Sequence, residues 1–137
     1  MSDDKRSENQ ARAQIRSIVE MMACLKLARH GQKATWDGEV MDADDMEDVV
    51  RNDPLAVEVR SGWHTPGEED DSPIEYRILL CTGGPAVQIV GDLNRYGKPE
   101  TAVIQHQDWG LPFRPFLDTT EAEEAALLDY AREFFGE

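Results

Sequence analysis

The stretch Ile74-Glu75-Tyr76-Arg77-Ile78-Leu79-Leu80-Cys81-Thr82-Gly83-Gly84-Pro85-Ala86-Val87-Gln88-Ile89-Val90-Gly91 decides the fold class. Ile74 to Thr82 is mostly apolar, as a central strand is, and Ala86 to Gly91 reads as its hairpin partner across the Thr82–Pro85 turn. The next strand, Thr101 to Gln107, follows the turn Asn94–Pro99. With no long crossover between them, these three strands form an antiparallel meander. On the N-terminal side Leu55 to Arg60 alternates, with Leu55, Val57 and Val59 on one face and Glu58 and Arg60 on the other. The segment 108–118, rich in Pro, Gly and aromatic residues, reads as a packed loop. Trp63 and Trp109, at strand ends, read as lids on the sheet rather than as exposed anchors for a partner.

Helices flank this sheet. From Ser7 to His30, the residues Ala11, Ile15, Ile18, Met22 and Leu25 recur at steps of four and three, which predicts a helix with an apolar seam that Val19 widens. Gly31 ends it, after Lys26, Arg29 and His30 in a last turn that favours positive charge. The seam is expected to pack within the chain; the alternative is a homodimer through this helix. A connector containing Trp36 and Gly38 leads to a short acidic helix from Ala43 to Arg51. Asp42 caps it, Asp44 and Asp45 sit in its first turn, and Met46, Val49 and Val50 point inward. Asp53-Pro54 closes it. Thr119 or Thr120 caps a C-terminal helix with Ala122, Ala126, Leu127, Tyr130, Ala131 and Phe134 inward. The expected fold is therefore α+β: an antiparallel sheet of about four strands with a long N-terminal helix, a short acidic helix and a C-terminal helix. Residues 1–137 form one domain, comprising the helix 1–34, the acidic connector 35–52 and the sheet with its last helix, 53–137.

The formal charge of −14 is unevenly placed. Residues 1–34 carry seven basic and four acidic groups, residues 35–75 two and fourteen, residues 76–118 four and four, and residues 119–137 one and six. Such a balance disfavours direct contact with nucleic acid or an anionic membrane and favours basic protein surfaces. No run of 18 apolar residues and no signal-peptide core is present, so a cytoplasmic protein with reduced thiols is expected.

Cys81 beside Thr82-Gly83-Gly84-Pro85 invites a catalytic reading with His106 and Asp108, or an anion-binding turn. Hairpin glycines between two apolar strands explain the motif sufficiently, and no enzyme is expected. His30, His64, His106, Cys24 and Cys81 have no metal-ligand spacing, and no metal or cofactor is expected. The acidic run lacks the glycine and glutamate positions of a calcium loop. Its bland reading is a solvated helix face. The sharper one joins Asp37, Glu39, Asp42, Asp44, Asp45, Glu47 and Asp48 with Glu68, Glu69, Asp70 and Asp71 into a surface that imitates a row of phosphates and meets Lys and Arg side chains.

Residues 53–137 resemble a family of small acidic proteins carried on plasmids, integrative elements and phages. The resemblance rests on Asp53-Pro54-Leu55, Val57 to Trp63, Glu75 to Val87, Gln107-Asp108-Trp109-Gly110 and Phe134-Phe135-Gly136-Glu137. It implies a setting among the accessory genes of mobile DNA, where small acidic proteins block host defence, as anti-CRISPR and antirestriction proteins do. The expected function is thus a non-catalytic anti-defence protein whose acidic surface blocks a basic nucleic-acid-binding site on a host complex. The rivals are an interaction module assembling through the N-terminal helix and a small enzyme using Cys81 and His106.

Overall fold

The computed structural model describes residues 3–68 and 72–135, with side chains from Arg6 onward. Helix α1 spans Asp3–Arg29. Ala11, Ile15, Ile18 and Leu25 are buried along it, and Met21 rather than Met22 fills the position between them. With 3.6 residues per turn, the seam position after Ile18 falls between 21 and 22. Met22 packs half-buried on the flank. The seam is thus used inside the chain.

Strands β1 (Ala34–Trp36) and β2 (Glu39–Met41) form a hairpin of their own, where an irregular connector was expected. Its two-residue turn is Asp37-Gly38, with φ of 53° and 81°. Positive φ at both central positions matches the right-handed twist of the flanking strands, which is why Asp-Gly closes it. Helix α2 (Ala43–Arg51) follows on a capping box. The Asp42 carboxylate accepts from the Asp45 N–H at 2.8 Å, and that of Asp45 accepts from the Asp42 N–H at 3.3 Å. Met46 and Val50 are buried and Val49 packs on the same core.

The main sheet runs β3 (Ala56–Ser61), β4 (Pro73–Cys81), β5 (Ala86–Asp92), β6 (Val103–Gln107) and β7 (Arg114–Pro115), in chain order and antiparallel throughout. The four expected strands and the Thr82–Pro85 hairpin are present. The fifth, β7, lies in the segment expected to be a loop, and it pairs only through Gln105–Pro115 and His106–Arg114. Thr101 falls outside β6. Its hydroxyl accepts from the Asp92 N–H and its carbonyl from the Tyr76 hydroxyl at 2.6 Å. Gly91 lets that carbonyl approach: a Cβ there would sit 2.0 Å from the Thr101 oxygen and 2.7 Å from the Tyr76 ring.

Directly paired residues share a face, so the register sorts the side chains. One face carries Val57, Ile78, Ile89 and Ile104 in one row and Val59, Tyr76 and Gly91 in the next. Helix α1 packs on β5 and β6 of this face, and α3 (Glu121–Arg132) packs on α1. Thr120 is the N-cap of α3. Leu127, Tyr130 and Ala131 are buried, but Ala122, expected inward, is exposed, because the first turn of α3 overhangs the core. The Tyr130 hydroxyl donates to Asp53 at 2.6 Å, which ties α3 to the turn before β3. Burial, then that hydrogen bond, pushes the Tyr130 phenol well above its ordinary pKa.

Candidate functional site

The opposite face of the sheet has no helix on it. A groove of about 560 Å³ runs across it. Its floor is two rows, Glu58–Arg77–Val90–Val103 and Arg60–Glu75–Asp92, and Gln88 and Gln105 join side chain to side chain at 2.7 Å. Arg77 pairs with Glu58 at 2.5 Å and Arg60 with Glu75. These charges neutralise one another across β3 and β4.

The acidic residues of the first cluster all belong to the hairpin β1–β2 and α2, so one small unit holds them. Several also have local work. Asp37 occupies the left-handed turn position, and Asp42 and Asp45 form the capping box. Glu47 accepts from Arg29 at 3.1 Å, and the same guanidinium grips Glu133 with two hydrogen bonds of 2.9 and 2.8 Å. Arg29 therefore clamps α2 and α3 to the end of α1. Both carboxylates, Glu133 foremost, hold it charged, and its pKa is raised further above the arginine range. Asp48 faces Arg51 at 3.2 Å in a well-exposed pair. Asp37, Glu39 and Asp44 form no ion pair among the described residues and project from the unit into solvent.

Of the second cluster, Glu68 alone belongs to the described residues. Glu69, Asp70 and Asp71 lie outside the described residues. Glu68 is exposed in the loop after β3, whose mouth is closed by Ser61 opposite Pro73. From Ala56, where the chain arrives from α2, to Ser61 is about 17 Å at the usual strand rise. β3 thus lies between α2 and the start of that loop along the chain.

A buried polar cluster emerges that no sequence spacing indicated. Ser7, His106 and Asp108 are all buried. The Ser7 Oγ lies 2.8 Å from His106 Nδ1 and donates to Asp108 Oδ2 at 2.8 Å. The Arg114 guanidinium stands 3.7 Å from the same Asp108 oxygen. A hydroxyl has one proton. Since it goes to the carboxylate, the Ser7 oxygen accepts from Nδ1–H. In a hydrolytic triad the histidine sits between serine and carboxylate and takes the serine proton. Here the serine is the central member and is sealed from solvent, so the arrangement fastens α1 to the end of β6. Ser7 and Asp108 are 101 residues apart, and only the fold reveals them as neighbours.

Cys81 and His106 lie in one cross-strand row, Cys81–Val87–His106–Arg114, with β5 between them. Two strand spacings separate their backbones, about 10 Å, so the paired nucleophile and base of the enzyme reading are not in contact. Burial pushes the Cys81 thiol up, away from the thiolate a nucleophile needs. The Cys81 thiol instead points at the Pro85 carbonyl, 4.0 Å away. Among the described residues no group of three or more His, Cys, Asp or Glu side chains is placed to hold a metal. Nor, among the described residues, is any helix long and apolar enough to cross a membrane. Trp63 and Trp109, expected as lids, are both exposed: each sits in a loop beyond a strand end, where no helix reaches.

These features define an α+β protein with helices on one face of an antiparallel meander and an acidic hairpin–helix unit at its side. Compared with protein-family models, curated proteins and solved structures, the chain shows no significant match.

Proposed function

We propose that the protein is a non-catalytic binding protein of the anti-defence kind, which presents the acidic surface of β1–β2 and α2 to a basic nucleic-acid-binding site on a host complex. The observation that carries this reading is the density of carboxylates on one unit: Asp37, Glu39, Asp42, Asp44, Asp45 and Asp48 are all exposed on it. Arg29 and the buried Met46 and Val50 hold that unit against the core, so the charges are presented without further ordering. The excess of fourteen negative charges adds long-range attraction for a Lys/Arg-lined groove and speeds encounter. The resemblance to proteins of mobile DNA supplies the setting, and basic CRISPR effector and restriction complexes are the partners to try.

The test uses Asp37→Asn, Glu39→Gln and Asp44→Asn together. None of the three caps a helix or pairs with a cation, and asparagine tolerates the left-handed conformation at position 37. Binding to purified CRISPR effector and restriction complexes is measured with and without competing target DNA. Affinity of the native chain is expected to fall in the triple variant by about tenfold or more and to be lost to competing DNA. Binding that survives in the triple variant at full strength, with DNA still bound alongside, would overturn the mimicry.

A further inference from the structure

The edge of the sheet at β3 is open. β3 is hydrogen-bonded to β4 on one side only, and it ends the sheet order. It has six residues and contains neither proline nor lysine, the usual guards of an exposed edge. On its helix-bearing face Val57 is 39% exposed and Val59 48%, and the residues flanking the strand, Leu55 at 61% and the fully exposed Trp63, add apolar surface at its two ends. We propose that β3 is the contact strand of a symmetric homodimer, pairing antiparallel with β3 of a second copy so that Val59 lies opposite Val59.

The sequence of the strand selects this register. With Val59 on the two-fold axis, Glu58 faces Arg60 of the second copy and Arg60 faces its Glu58. The intrachain pairs already present are Arg77–Glu58 and Arg60–Glu75. Joined across the axis, they make two rows of alternating sign over four strands: Arg77, Glu58, then Arg60 and Glu75 of the second copy, and the same in reverse. On the other face Val57 falls opposite Ser61. Past the strand ends, the same register brings Leu55, one residue before β3, to the level of Trp63, two residues after it, so the two most exposed of these apolar side chains would come together at each end of the contact. Moving the register by two residues puts Glu58 against Glu58 or Arg60 against Arg60, and directly opposed like charges destabilise a pair. Moving it by one sets valine against charge and turns the two helical layers to opposite faces. One register thus satisfies charge and apolar cover together. The partner is a second copy because the strand is its own complement, as an isologous contact requires.

The full-length chain is expected to sediment as a dimer that dissociates on dilution. In a background with Cys24→Ala and Cys81→Ala, Val59→Cys should form a disulfide-linked dimer on oxidation, since residues opposite each other in an antiparallel pair have Cβ atoms about 5 Å apart. Val57→Cys in the same background should not. The two copies of position 57 lie four residues out of register, about 14 Å apart, beyond the ~7 Å span of a disulfide. Both positions are exposed, so neither change threatens folding. A chain that sediments as a monomer at every concentration overturns the proposal. So does cross-linking at position 57 that equals or exceeds that at 59. Both measurements are independent of partner binding, so failure here leaves the acidic-surface reading standing, and the reverse holds.

Discussion

Ser7 shows how much one short side chain can carry. Its hydroxyl donates a hydrogen bond to Asp108 and accepts one from His106, and it has no exposed surface. Ser7→Ala removes that bridge from a buried carboxylate and a buried imidazole without adding bulk. Leaving buried polar groups short of a partner costs about 1–3 kcal/mol. Urea unfolding should show that loss as a lower midpoint with an unchanged slope, because the surface exposed on unfolding is the same. A loss near zero would mean that the fastening of α1 to β6 contributes nothing. Such a cluster cannot be read along the chain. His106 and Asp108 drew notice for their chemistry, but the third member stands 99 residues from His106 in a polar N-terminal segment. Its placement depends on where α1 lands on β6, which is settled by the burial of Ile15 and Ile18 rather than by anything near Ser7.

At the scale of elements, local signals located most boundaries. Asp42 caps α2 and Thr120 caps α3, each with a carboxylate three residues on to complete a capping box. The meander followed from two apolar runs and a glycine turn. What escaped were the shortest pieces. β1 and β2 have three residues each, too few to show an alternation, although Asp37-Gly38 was a hairpin signal in plain view. β7 has two residues, one a proline, and exists only because Arg114 and Phe116 are drawn over β6. The acidic unit was legible as composition, whereas its use in caps and clamps was not, since Arg29 finds Glu47 and Glu133 only through packing.

The cap of α3 also carries a pH dependence. The Glu123 carboxylate accepts from the Thr120 N–H at 2.9 Å and pairs with Arg12 at 2.6 Å. The backbone hydrogen bond first, and then the Arg12 charge, lower its pKa below the ordinary 4.5. A carboxylate with a depressed folded pKa contributes stability that is fully present above its unfolded value. That contribution is lost as pH falls from about 4.5 through the folded value. Thermal melting followed from neutrality into acid should therefore fall less steeply below pH 4.5 in Glu123→Gln than in the native chain. Equal slopes in the two proteins would remove Glu123 from the acid response.

Over the whole molecule, two electrostatic effects of opposite sign compete, and their sizes decide the outcome. At least six arginines, Arg12, Arg29, Arg51, Arg60, Arg77 and Arg114, stand in ion pairs. Pairs as exposed as most of these contribute about 0–1 kcal/mol each, and salt weakens them. Against them stands the excess of fourteen negative charges. Two like charges ~20 Å apart in water repel by about 0.2 kcal/mol, and fourteen make on the order of ninety such pairs. The unscreened repulsion is then roughly 20 kcal/mol, part of which unfolding relieves by expanding the chain. Repulsion wins, so the melting temperature should rise as salt shortens the Debye length from ~30 Å at 0.01 M to about 8 Å at 0.15 M. Binding to a basic partner should move the other way across the same buffers, because screening removes the attraction that draws the two surfaces together. Stability and affinity measured in one salt series should therefore diverge. A melting temperature that falls with salt would mean that the clamps outweigh the crowd of carboxylates. Affinity indifferent to salt would remove the acidic unit as the contact surface.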